Sequence, residues 1–119
     1  KLKGFDGKKL VIVEGVYSMD GDTPPLAEIV EICRRYNARL MIDEAHSAFV
    51  YGETGKGVVE DQGFDDEVDI HLGTFSKSLG GQGGYTAGTH KLISRIAAGR
   101  SGGCPVLVLG ILPGNITPD

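Results

Sequence analysis

Two short aliphatic runs, separated by one amphipathic stretch of helical period, constrain this chain more than any other feature. Residues 9–14 (KLVIVE) and 39–43 (RLMID) are apolar at every interior position. Runs of that kind, without strict alternation, fit strands covered on both faces, the usual setting of a parallel sheet. Between them, Leu26, Ile29, Val30, Cys33 and Tyr36 recur at helical spacing, with Glu28, Glu31, Arg34 and Arg35 mostly on the other faces. Pro24 and Pro25 open this helix, with Thr23 as the expected N-cap, and Asn37 closes it. The unit is strand–loop–helix–strand, so the two strands are expected side by side and parallel, joined by a right-handed crossover.

Downstream, residues 44–67 read as irregular, with one short helical turn at 58–62. A third strand is expected over 68–74 and a fourth over 84–89; the short turn between them makes that pair antiparallel. A helix follows from Thr89 through Leu92, Ile93 and Ile96, and beyond Gly99 an apolar run has no evident partner. The expected fold is therefore α/β, a mostly parallel sheet with one antiparallel strand. Three or four strands with one or two helices cannot cover both faces of such a sheet, so the chain reads as part of a larger domain.

Composition narrows the function classes. The net charge of −4 argues against a nucleic-acid-binding patch, and no apolar run approaches the ~20 residues of a membrane-spanning helix. The two cysteines, Cys33 and Cys104, make neither a zinc spacing nor a disulfide framework, which fits a reduced, cytoplasmic setting. Glycine is in excess, 19 of 119 residues, and follows no period, so the excess points to local backbone requirements.

In open α/β sheets ligands bind beyond the carboxyl ends of the strands. Here the first strand leads to Ser18 and Asp20, the second ends at Asp43, Glu44 and His46, and the third ends at Thr74, Ser76 and Lys77. An acid such as Asp43 at the end of an apolar strand either caps the next loop or awaits a cation. A loop histidine such as His46 is ordinarily bonded to backbone, but three residues from Asp43 it can share a ligand. Lys77, among hydroxyls and glycines, is either an exposed turn lysine or an amine placed to form a Schiff base. An amine, an acid and paired hydroxyls on one edge are the set that pyridoxal phosphate needs.

Four segments in this order, 14–22 (EGVYSMDGD), 43–47 (DEAHS), 73–81 (GTFSKSLGG) and 83–88 (GYTAG within GGYTAG), resemble the α-oxoamine synthases. These are fold-type I, aspartate aminotransferase-like, pyridoxal-phosphate acyltransferases. Gly55-Lys-Gly-Val also fits, and the resemblance covers roughly residues 8–97. It implies condensation of an amino acid (glycine, serine or alanine) with an acyl-CoA, usually with decarboxylation, in a homodimer. By the same carry-over Lys77 is the Schiff-base lysine and, with His46, the catalytic pair. Asp43 faces the pyridinium nitrogen, His46 and Ser18 the phenolic oxygen, and Thr74 and Ser76 the phosphate. Residues 1–98 are then the central segment of the cofactor-binding large domain, and 99–119 a divergent tail.

Other readings are weaker. Asp43, Glu44, His46 and His71 lack the spacing of a metal site, Gly52-Glu-Thr-Gly-Lys-Gly departs from a phosphate loop, and there is no nucleophile elbow around Ser47. No metal is expected. The alternative of another class is a non-catalytic remnant or interaction module that keeps this fold segment.

Overall fold

The computed structural model describes residues 2–98 and, in backbone only, residues 107–111. β1 (Lys9–Glu14), α1 (Leu26–Tyr36) and β2 (Ala38–Asp43) form the expected unit, and β1 and β2 pair in parallel from Lys9↔Ala38 to Glu14↔Asp43. β3 (Ile70–Thr74) joins β2 in parallel, with Met41 opposite Ile70. β4 (Gly84–Gly88) returns antiparallel to β3. α2 (Val58–Asp61) is the short helical turn, and α3 (His90–Ala98) follows β4, with the Thr89 hydroxyl accepting from Leu92 N.

Two expectations are corrected. The apolar run beyond Gly99 does have a partner: β5 (Leu107–Ile111) pairs in parallel with β4, so the sheet order is β1-β2-β3-β4-β5 and two strands run against the first three. Its partner lies across the α3 crossover, a relation that periodicity does not reveal. Thr23 does not cap α1. Pro25 holds the N-cap position without a side-chain bond, and Ile29 N donates to Pro25 O at 3.1 Å. Two successive prolines keep the preceding backbone extended, which holds the Thr23 hydroxyl away from the first turn. At the other end Asn37 takes the left-handed conformation, φ 49°, and its N–H closes on Arg34 O.

The core lies on one face of the sheet. Leu26, Val30 and Cys33 of α1 pack on Leu40 and Ile42 of β2, joined by Val58, Val59 and Val68. Each fully buried aliphatic side chain contributes about 1.5–3 kcal/mol of transfer free energy, which fixes the pleat. Since Leu40 and Ile42 face α1, alternation turns Asp43 to the other face; by register Glu14, Leu72 and Thr74 share that face. Cys33 is a buried free thiol, pushed up from its ordinary pKa by burial and then by the Asp69 charge; Cys104 lies outside the described residues.

Candidate active site

The carboxyl ends of β1, β2 and β3 meet at one edge and deliver Glu14, Asp43 and Thr74 there. Asp43 is half-buried, and its Oδ1 accepts from Ala45 N at 2.9 Å. The loop-capping role is therefore real, and it leaves Oδ2 outside that bond.

The structure brings Lys77 and His46 together. Lys77 Nζ lies 2.7 Å from His46 Nε2 and 3.3 Å from Nδ1, across a sequence separation of 31 residues. Glu14 Oε2 stands 4.0 Å from His46 Nδ1. Thr74 Oγ1 and Ser76 Oγ are 2.7 Å apart; Thr74 Oγ1 donates to Gly83 O and accepts from Ser76 N. The turn that carries Lys77 is closed by Phe75 N to Gly83 O, Gly81 N to Phe75 O and Gly80 N to Lys77 O. Gly83 has φ +107°, a conformation that L side chains rarely adopt. Ser18 sits in the loop after β1, in an open cleft that it shares with Glu14. No hydrogen bond joins it to His46 or Lys77 among the described residues.

His46 is aimed by a neighbour whose role the sequence does not disclose. Glu44 is 1% exposed, yet its carboxylate is saturated: Val58 N donates to Oε2 and Val59 N to Oε1, each at 3.0 Å, and the Ser47 hydroxyl donates to Oε2. Glu44 N donates in turn to Leu72 O of β3 at 2.7 Å. A buried carboxylate is tolerable only when its lone pairs are used in this way. Gly15 and Gly57 make room for it, since a Cβ on either would come within 2.5 Å of a Glu44 oxygen. The turn bearing His46 is thus held to β3 and to the start of α2. Ser78 Oγ adds a bond to Ala48 O at 3.2 Å, tying the lysine turn to the same loop.

The residues weighed as a metal set separate here. Glu44 and His71 point into the core side, Glu44 with its oxygens already engaged. His71 is buried, with Nε2 lacking a hydrogen-bond partner among the described residues. Burial lowers its pKa, against the opposing charges of Glu44 and Asp65. A cavity of about 420 Å³ lies at the amino ends of β2 and β3, between Arg39, Asp69 and Arg95, away from these groups. Glu14 is the residue that sequence reasoning passes over; its place at a strand terminus is the signal that singles out Asp43.

The fold is a mixed α/β sheet with polar side chains gathered at one edge, and the comparisons with known proteins give its family. The profile of the family "aminotransferase class I and II" matches residues 1–105, and the chain belongs to that family. Over 86 residues it is 51% identical to an 8-amino-7-oxononanoate synthase of Thermosipho melanesiensis, covering 72% of this chain and 22% of the relative. Over 87 residues it is 51% identical to the long chain base biosynthesis protein 2a of Arabidopsis thaliana, covering 72% and 18%. A serine palmitoyltransferase structure from S. paucimobilis, solved with PLP and myriocin bound, superposes with TM-score 0.67 at 45% identity, over 70% of this chain and 21% of that one. The chain spans about a fifth of the length of the curated relatives it matches.

Proposed function

We propose that residues 1–98 form the central cofactor segment of a pyridoxal-phosphate enzyme. Its reaction is condensation of an amino acid (glycine, serine or alanine) with an acyl-CoA to an α-oxoamine, usually with loss of carbon dioxide. The observation that carries the reading is the meeting of the Lys77 amine with His46 at 2.7 Å, on the edge that also presents Asp43, Thr74 and Ser76. The donor set fits the cofactor: an exposed primary amine for its aldehyde, a carboxylate not closed by an ion pair for its ring nitrogen, and two adjacent hydroxyls with a backbone amide for its phosphate. The named relatives and the residues matched by the family profile support it.

Pyridoxal phosphate, when bound, supplies an electron sink for charge at the substrate Cα. The chain's own residues do the rest. Lys77 would hold the cofactor through Nζ, and the same nitrogen is placed to carry the Cα proton. Asp43 keeps the ring nitrogen protonated. Thr74 and Ser76 hold the phosphate, and His46 with Ser18 orient the ring through its phenolic oxygen. The family resemblance further supports a homodimer and a cytoplasmic setting, with residues 99–119 as a divergent tail. Among the described residues no helix is long and apolar enough to cross a membrane.

The test is borohydride reduction of the cofactor-loaded protein followed by peptide mass mapping. Cofactor mass on the Lys77 peptide is expected. Its appearance on another lysine, or on none, overturns the proposal. On the full-length protein, a screen of amino acids with and without acyl-CoA, read by absorbance of the bound cofactor, then identifies the substrates.

A further inference from the structure

We propose, resting on the reading of Lys77 as the cofactor-bearing amine, that Ser78 is a positioning residue. By donating to Ala48 O, its hydroxyl anchors the Lys77 stem beside His46 and keeps it there when Nζ leaves His46 for a carbonyl.

The bonding of the lysine turn shows why one hydroxyl matters. Phe75 N and Thr74 Oγ1 donate to Gly83 O, Gly81 N to Phe75 O, and Gly80 N to Lys77 O. These bonds close the turn on itself and on the start of β4. Residues 76–82 are exposed, so packing does little to hold the turn against its neighbours. Among the described residues, two of its side chains hydrogen-bond to the segment after β2. Lys77 Nζ meets His46, and Ser78 Oγ meets Ala48 O at 3.2 Å.

The two links differ in kind. The Lys77 contact is made by the reacting atom, so it is given up when Nζ takes a carbonyl. The Ser78 bond uses no reacting atom and persists. Its acceptor is also well fixed. Ala48 is 3% exposed, and its N–H donates to Glu44 O at 2.8 Å, within the turn that the Glu44 carboxylate pins to α2. Among the described residues the Ala48 carbonyl accepts no backbone N–H, so the Ser78 hydroxyl is the partner that a carbonyl in this buried place requires.

Chain order turns this anchor into a control on Lys77. Ser78 is the next residue, so holding its Oγ fixes the peptide from which the lysine stem departs. That stem is long and flexible, and an amine on a loose turn samples many positions. An amine that starts from a fixed point stays at the edge where Asp43, Thr74 and Ser76 stand. The gain is one of orientation, which geometry alone supplies.

The experiment compares two aldehydes on the full-length protein freed of cofactor. Formaldehyde reacts with any accessible neutral amine and needs no site, whereas pyridoxal phosphate needs the amine in place. Each product is fixed by cyanoborohydride, and the rate at Lys77 is read by peptide mass spectrometry with Lys91 as internal reference. In Ser78→Ala the ratio of cofactor capture to methylation at Lys77 is expected to fall roughly 2- to 10-fold, the value of one hydrogen bond. Ser78→Thr, which keeps the hydroxyl, should restore the ratio to within about twofold. A role confined to stability moves the urea midpoint and leaves the ratio, because a loosened turn admits both aldehydes alike. An unchanged ratio in Ser78→Ala therefore overturns the proposal, as does a Ser78→Thr chain as poor as Ser78→Ala. Cofactor captured at another lysine in the wild type overturns the reading of Lys77 and this inference with it. Capture at Lys77 with an equal ratio in Ser78→Ala overturns this inference alone.

Discussion

Two loops leave the same edge of the sheet and use their polar groups in opposite ways. The segment after β2 buries a carboxylate and saturates it: Glu44 takes bonds from Ser47, Val58 and Val59. The segment after β3 leaves its amine and hydroxyls open; Thr74, Ser76 and Lys77 bond mainly to one another and to His46. The difference separates support from chemistry. A buried carboxylate already engaged by three donors has little left to offer a ligand, but it can hold its neighbours still. A group exposed at a pinned turn can take a ligand with little rearrangement.

The largest effect that tests this contrast is on stability at the buried loop. Glu44→Ala leaves two buried amides without an acceptor, each costing about 1–3 kcal/mol, and the loss should appear as a lower urea midpoint. Gly57→Ala should follow, because the residue has φ +118° and its new Cβ would strike the Glu44 carboxyl. A cost of about 1–3 kcal/mol is expected, read the same way. If either variant denatured like wild type, the loop would not be held as described. The open loop should behave in reverse. Ser76→Ala should shift stability by no more than about 0.5 kcal/mol, and Thr74→Ala, which loses the bond to Gly83 O, by about 0.5–1.5 kcal/mol. Each should weaken cofactor binding roughly 10- to 100-fold, the value of a hydrogen bond to a charged group, measured by equilibrium titration. Binding left unchanged would remove the hydroxyls from the phosphate role.

The smallest expected effect concerns His71, on the core side. Burial depresses its pKa below the ordinary 6.5, so the unfolded chain binds that proton more tightly than the folded one. The stability contributed by neutral His71 is therefore complete above about pH 6.5 and is lost as pH falls toward the depressed folded-state value. Urea midpoints at about pH 7.5 and about pH 5.5 should differ by more in wild type than in His71→Leu. Equal differences would show that His71 is not the buried titrating group.

These contrasts also mark what a sequence discloses. β1, α1 and β2 stand where the aliphatic runs and the 3.6-residue period put them, because burial on one helix face leaves a periodic trace. Lys77, Asp43 and Thr74 were legible as strand-end residues of unusual type, and the four ordered segments supplied the family. Glu44 was not legible as a support, because a buried carboxylate saturated by backbone amides differs from a metal ligand only in three dimensions. Glu14 was hidden for a related reason, since its relation to His46 arises from parallel register across 32 residues of chain. β5 escaped because a continuous apolar run names no partner, and Thr23 misled because the prolines that announce a helix also move the residue before them.

The strand order has a consequence in time. Spatial order follows chain order, so each strand finds its partner in the one made before it. Three of the four pairings span 23 to 29 residues, and only β3 with β4 forms a hairpin, so that hairpin is the pairing with the lowest closure cost. During synthesis the strands nevertheless appear in the order in which they lie side by side. Glu14, Asp43 and His46 are therefore all made before the lysine turn that completes the edge.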